Sequence, residues 1–185
     1  MPMNIPNLLT GLRILLIPVF ILFFYLPIPH ANLAATLVFG LAALTDWFDG
    51  YLARRLKETS AFGAFLDPVA DKLMVVTALV LLVERHPHAW FTVPAVIIIG
   101  REITISALRE WMAEVGESAR VAVSMIGKIK TTVQMVALFL LIYREPLFHL
   151  PVETVGLVCF YLAALLTLWS MAVYLRAAWP ALRGR

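Results

Sequence analysis

The sequence predicts an all-α, multi-pass membrane protein with six transmembrane helices in one bundle, a single membrane-embedded domain over residues 1–185. Three observations carry that prediction. Of the 185 residues, 62% are hydrophobic and 15% charged, whereas soluble domains carry about 45–50% apolar and about 25% charged residues. The apolar residues fall into runs near the roughly 20 that a helix needs to cross a bilayer. The lysines and arginines gather at alternate ends of those runs, as in a chain that threads a membrane repeatedly.

Hydropathy places the spans at 8–26, 33–53, 64–84, 89–109, 125–143 and 152–175. In the first, Asn7 reads as the N-cap and Pro18 as a kink. Arg13 followed by the apolar run 14–25 has the look of a signal peptide, but no small-x-small cleavage site follows, so the run reads as a retained helix. Pro27 and Pro29 separate the first two spans, Pro87 opens the fourth, Pro94 kinks it, and Pro146 and Pro151 precede the sixth. Gly40, Gly100 and Gly156 read as helix-packing positions, and Trp47, Trp90, Trp111 and Trp179 as interface residues. Cys159 is the single cysteine and lies in an apolar segment, so no intramolecular disulfide is possible.

Orientation follows from the basic residues. With the N-terminus in the cytoplasm, thirteen of the fifteen lysines and arginines fall at inner ends and loops, leaving Arg85 and Arg144 outside. The positive-inside rule therefore puts both termini on the cytoplasmic side of the membrane. His30, His86, His88 and His149 then lie near the outer face, and none of them reads as catalytic.

Acidic residues carry the chemistry. Asp46 and Asp49 end the second span, and Asp67 and Asp71 begin the third. A carboxylate at membrane depth costs roughly 2.5–3.5 kcal/mol on insertion scales, so such a group needs an offset. Residues three or four apart share a helix face, and two facing carboxylate pairs make a cage of hard oxygen ligands for Mg²⁺, Mn²⁺ or Ca²⁺. Helix caps and salt bridges explain one or two such aspartates, but not this spacing.

The string Asp46-x-x-Asp49-Gly50-x-x-Ala53-Arg54, followed after eight residues by Gly63-x-x-x-Asp67-x-x-x-Asp71, resembles the signature of the CDP-alcohol phosphotransferases. The segments around Asn4 to Thr10, Arg101 to Trp111 and Gly127 to Thr131 are similar to one bacterial branch, so the likeness covers nearly the whole chain. It implies transfer of a phosphatidyl group from CDP-diacylglycerol to sn-glycerol-3-phosphate, giving phosphatidylglycerophosphate and CMP, in a homodimer among membrane lipids with no nucleic-acid partner. It also implies two divalent cations, Mg²⁺ or Mn²⁺, on Asp46, Asp49, Asp67 and Asp71, with Asp71 removing the proton of the attacking hydroxyl. Gly50 and Gly63 suit close approach of a nucleotide, and Arg54 suits a bidentate phosphate contact. Ala53, Ser60, Asn7 and Thr10 complete the expected donor site, although Asn7 and Thr10 equally suit capping. Asp67 either caps a helix that starts at Pro68 or sits at a kink.

A phosphorylated acceptor needs cations, and Arg101, Arg109, Lys128 and Lys130 are available. Arg101 and Arg109 differ by about 80° around a helix and can line one groove; Lys128 and Lys130 differ by about 200°, so one of them faces the site. Snorkelling to lipid headgroups is the rival role for these four. Two other functions fit the same features less well. A cation transporter wants its carboxylates near the midplane, often in repeated halves, and no repeat is visible. The same transfer chemistry with phosphatidylglycerol, inositol phosphate or serine as acceptor is the nearer rival.

Overall fold

The computed structural model describes residues 5–56, 61–116, 125–146 and 150–183. These residues form six helices: α1 Ile5–Tyr25, α2 Ala31–Leu56, α3 Ala61–Arg85, α4 Ala89–Glu114, α5 Met125–Tyr143 and α6 Val152–Arg183. Each coincides with one expected span, and no strand occurs among the described residues. Leu8–Tyr25, Ala89–Glu114 and Val152–Trp179 are long and apolar enough to cross a membrane, and α2 and α5 hold the shorter apolar stretches Ala31–Asp46 and Ile129–Tyr143. Those two fall short because α2 ends in Asp46, Asp49, Arg54 and Arg55, and α5 begins with Lys128 and Lys130.

Several helices run past their hydropathy limits; α6 continues to Arg183 and α4 to Glu114. Backbone hydrogen bonding does not stop where apolar side chains stop, so a hydropathy window marks the span and not the helix. Two local expectations are corrected for the same reason. Asn7 lies inside α1, which already includes Ile5, so it is not the N-cap. α3 begins at Ala61 and runs through both Asp67 and Pro68, so no helix starts at Pro68.

The chain divides into two compact units. The first comprises Met1–Arg85 with Leu141–Val152. In it α1 packs on α2 and α3, burying Thr10, Arg13, Leu16 and Phe20, which recur at the three- and four-residue spacing of one helix face. The Phe20 ring lies 5.9 Å from that of Phe39, and Ala35 and Ala42 on α2 and Ala70 and Ala78 on α3 are buried as well. At the far end of α3, Arg85 donates from Nη1 to Asn32 Oδ1 at 3.3 Å and stacks its guanidinium 3.8 Å over the Phe24 ring. One cation thus ties the end of α1 to the start of α2. The turn between those helices is closed by His30 at φ 63°.

The second unit comprises His86–Leu140 and Glu153–Arg185. Phe91 on α4 stacks against Phe160 on α6 with centroids 4.4 Å apart, and Ile105, Met112, Tyr174 and Ala178 form a second buried cluster between the same helices. His86 stacks on Phe91 at 4.7 Å and pairs with Glu153 at 2.9 Å. α4 is closed by the Val115 and Gly116 amides, which donate to Trp111 and Ala113; Gly116 takes φ +79° there, the left-handed C′ position that favours glycine.

Both units bury several alanines beside the larger core side chains while leaving many large apolar residues on the outside. Leu15, Leu37, Leu44, Val96, Val158, Leu165 and Trp169 are all exposed. Helices that are apolar all round belong in lipid, where association depends on close packing of small residues more than on a hydrophobic drive. Buried hydroxyls are satisfied within their own helices: Thr45 donates to Ala42 O at 2.7 Å and Thr167 to Ala163 O at 2.6 Å.

This packing gives the first prediction. Ala78→Leu inserts three carbons at a fully buried position and is expected to cost about 1–3 kcal/mol of stability, whereas Leu37→Ala on the exposed face of α2 should change stability by less than about 0.5 kcal/mol. Thermal unfolding of both variants in detergent checks the contrast; equal effects would mean that the buried face is not close-packed.

Candidate functional site

The acidic signature lies on the first unit. α2 carries Asp46, Asp49, Gly50, Ala53 and Arg54, and α3 carries Gly63, Asp67 and Asp71. Within each helix the aspartates stand one turn apart, as the three- and four-residue spacings require. Of these side chains the structure describes that of Asp46. The side chains at 49, 50, 53, 54, 63, 67 and 71, together with Asn7, lie outside the described residues, as does Ser60 entirely.

Asp46 Oδ1 stands 3.1 Å from Arg13 Nη1. Arg13 sits in the middle of the apolar α1 with no acid on its own helix, and at 1% exposure it is wholly buried. A cation there needs a counter-charge from a neighbouring helix, and Asp46 supplies it. The carboxylate itself is 49% exposed, which leaves half of it open to a further cation. All four acids of the signature offer hard carboxylate oxygens, the donor type that suits Mg²⁺ or Mn²⁺. Thr10, one turn before Arg13, is buried on the same face.

The basic candidates converge in the second unit. Arg101 and Arg109 on α4 both approach Tyr174 on α6. The Arg101 guanidinium carbon lies 5.6 Å from the Tyr174 ring centroid and that of Arg109 lies 5.1 Å away. Arg109 Nη2 also donates to the Tyr174 hydroxyl at 2.9 Å. Lys130 on α5 joins the group through Glu102: Lys130 Nζ donates to Glu102 Oε1, and Arg101 Nη1 donates to the same oxygen at 3.1 Å. Lys130 is 1% and Arg101 7% exposed; neither is the exposed cation that snorkelling would require. The side chain of Lys128 lies outside the described residues.

Among the described residues, then, Arg101 and Lys130 meet the one carboxylate of Glu102 and Arg109 joins the group at Tyr174, so these four charged groups sum to two net positive charges. Arg101 Nε and Arg109 Nε are buried and lack a hydrogen-bond partner among the described residues, as does Gln134 Oε1 one turn beyond Lys130. A buried cluster of cations with unused N–H donors is suited to an anionic group with several oxygens.

Arg13, Glu102 and Tyr174 escaped the sequence reading. In the sequence Arg13 reads as one of the topology-setting arginines, and Glu102 reads as an acid beside the basic candidates of its helix. For both, the signal was a charge inside an apolar run, which demands an opposite charge nearby. Tyr174 left no comparable trace among the aromatic residues of α6.

Residues 3–173 match the CDP-alcohol phosphatidyltransferase family, whose members are generally dependent on divalent metal. The chain is 58% identical over 178 residues to the CDP-diacylglycerol–glycerol-3-phosphate 3-phosphatidyltransferase of Pectobacterium atrosepticum, covering 96% of both chains. It is 57% identical to the proteins of the same name from Shigella flexneri and Escherichia coli K12, again over 178 residues and 96% of each chain.

The Arg109–Tyr174 contact gives the second prediction. Tyr174→Phe removes the oxygen that accepts from a charged donor while keeping the ring. It is expected to lower stability by about 1.5–3 kcal/mol, as for other hydrogen bonds to charged groups. Chemical or thermal unfolding against wild type checks it; an unchanged transition would mean that the hydroxyl carries no weight in holding Arg109.

Proposed function

Because the chain belongs to the CDP-alcohol phosphatidyltransferase family, we infer that it transfers the phosphatidyl group of CDP-diacylglycerol to sn-glycerol-3-phosphate, giving phosphatidylglycerophosphate and CMP. Its apolar helices and bacterial relatives mark it as an inner-membrane protein. The observation that carries the acceptor is the cluster of Arg101, Arg109 and Lys130 around Glu102 and Tyr174, a buried cationic group of the kind a phosphate monoester requires. Neutral acceptors such as serine have no use for it.

We assign the roles as follows. Asp46, Asp49, Asp67 and Asp71 would hold two divalent cations, Mg²⁺ or Mn²⁺, whose charge would offset that of the diphosphate during an in-line displacement. Gly50, Ala53, Arg54, Ser60 and Gly63, with Asn7 and Thr10, receive the CDP-diacylglycerol, Arg54 pairing with a phosphate. Arg101, Arg109 and Lys130, with Lys128 beside them in sequence, hold the acceptor phosphate. Asp71 takes the proton of the acceptor hydroxyl as the new P–O bond forms; the bond to the CMP phosphate breaks and CMP leaves with its electron pair. The active site faces the cytoplasm, where both CMP and glycerol-3-phosphate are soluble, and the single domain spans residues 1–185 and works as a homodimer.

The test of this reading is CMP release from CDP-diacylglycerol, dependent on glycerol-3-phosphate. Chelation of divalent metal should abolish it, and Mg²⁺ or Mn²⁺ should restore it. Full activity in metal-free buffer would remove the cation cage, and metal flux into proteoliposomes without CMP release would favour a transporter.

A further prediction separates base from ligand. Asp71→Asn keeps a coordinating oxygen but cannot accept the hydroxyl proton at neutral pH, and should lower turnover by roughly 10²-fold or more with donor binding kept. Asp46→Asn should weaken metal affinity instead, with activity partly recovered at high Mg²⁺. Near-wild-type turnover in Asp71→Asn would leave the base to be sought elsewhere.

A further inference from the structure

Glu102 takes no part in the transfer as assigned above, yet it holds two of the three basic residues of the cluster. A single oxygen, Oε1, accepts from both Arg101 Nη1 and Lys130 Nζ. A lysine ammonium is a compact charge on a flexible four-carbon stem, and one that is 1% exposed does not swing out to water. Glu102 therefore decides where that charge sits. It also occupies the place on Lys130 and Arg101 that an incoming phosphate oxygen would take, while Arg101 Nε and Arg109 Nε, buried and without partners among the described residues, are left for the ligand.

We propose that Glu102 is a positioning residue of the acceptor site and an internal anion that competes with the acceptor phosphate, so that binding is oriented but not tight. The proposal rests on the acceptor reading given above. Its physical basis is that the phosphatidylglycerophosphate product keeps the same phosphate monoester as the substrate, with a charge of about −1.5 to −2 at neutral pH. Three uncompensated cations would hold product as firmly as substrate, and interactions shared by ground and transition states lower KM without raising kcat. With Glu102 present the described cluster carries two net positive charges instead of three, enough to match the phosphate without trapping it.

Two variants separate charge from reach. Glu102→Gln removes the charge at nearly constant shape. One unit charge a few ångströms away is worth about threefold or more in affinity even at the dielectric constant of water. Inorganic phosphate, tested as a competitive inhibitor against glycerol-3-phosphate at saturating CDP-diacylglycerol, should therefore inhibit Glu102→Gln at a Ki about threefold or more below that of wild type. The acceptor KM should fall with it, and kcat should drop by about tenfold as product release slows and Lys130 loses its tether. Glu102→Asp keeps the charge but is one methylene shorter. Its phosphate Ki should stay within about twofold of wild type while kcat falls by about tenfold, since displacements of about 1 Å can cost up to 10²-fold.

A merely structural Glu102 predicts another pattern: lower yield or stability, with a phosphate Ki that is unchanged or weakened in the surviving protein. A Ki in Glu102→Gln equal to or above that of wild type overturns the internal-anion role. Wild-type kcat in Glu102→Asp overturns the positioning role, and does so even where Glu102→Gln fails to fold. Failure of inorganic phosphate to compete with glycerol-3-phosphate in the wild-type enzyme would overturn the acceptor reading together with this proposal. Competition in wild type without tightening in Glu102→Gln overturns the proposal alone.

Discussion

A charge placed within an apolar helix must meet an opposite charge or water, and the polar architecture of both units follows from how this chain satisfies that demand. Each such group costs roughly 2.5–3.5 kcal/mol at membrane depth on insertion scales, and breaking a buried pair by removing one partner typically costs about 3–5 kcal/mol. Arg13 on α1 meets Asp46 on α2. Lys130 on α5 and Arg101 on α4 meet Glu102. In each case a charge on one helix obliges a second helix to stand beside it, so the ion pairs fix which faces of otherwise uniformly apolar helices turn inward. Apolar packing alone specifies this poorly in lipid, where the surrounding chains are as apolar as leucine.

The same pairs differ in what they leave over. Around Asp46 one arginine meets one carboxylate that remains half exposed, and the three other acids of the signature, carried on the same two helices, are the ones proposed above to hold cations with it. At Glu102 the balance is reversed: one carboxylate meets two cations, with Arg109 linked to them through Tyr174, an excess of the sign a phosphate requires. A phosphatidyl transfer needs both, a cation-holding site for the diphosphate donor and an anion-holding site for the phosphorylated acceptor. On the proposed assignment the acidic set serves the donor and the basic set serves the acceptor.

Much of this was legible in the sequence. Six apolar runs, each near the length that crosses a bilayer, correspond to six helices, because a long apolar run is stable in lipid only with its backbone hydrogen bonds closed within a helix. The spacing of Asp46, Asp49, Asp67 and Asp71 placed each pair one turn apart on α2 and α3, because helix geometry converts three- and four-residue intervals into a shared face. Arg101 and Arg109, about 80° apart by helix geometry, do meet at one residue, Tyr174. What stayed hidden was pairing between helices. No interval along the chain links Arg13 to Asp46 or Glu102 to Lys130, since such contacts depend on which faces pack together. Helix ends were also blurred, as with Asn7 inside α1 and Pro68 inside α3, because backbone hydrogen bonding outruns the hydropathy pattern and absorbs residues that locally read as caps.

The most direct test is a competition among acceptors. Purified protein given CDP-diacylglycerol and Mg²⁺, with equal concentrations of glycerol-3-phosphate, serine, inositol phosphate and phosphatidylglycerol, would have its lipid products resolved by mass spectrometry and its CMP measured in the same mixture. Phosphatidylglycerophosphate as the dominant product, formed one for one with CMP, is the expected result. A dominant product made from serine or phosphatidylglycerol would contradict the assignment of the buried basic cluster to an acceptor phosphate.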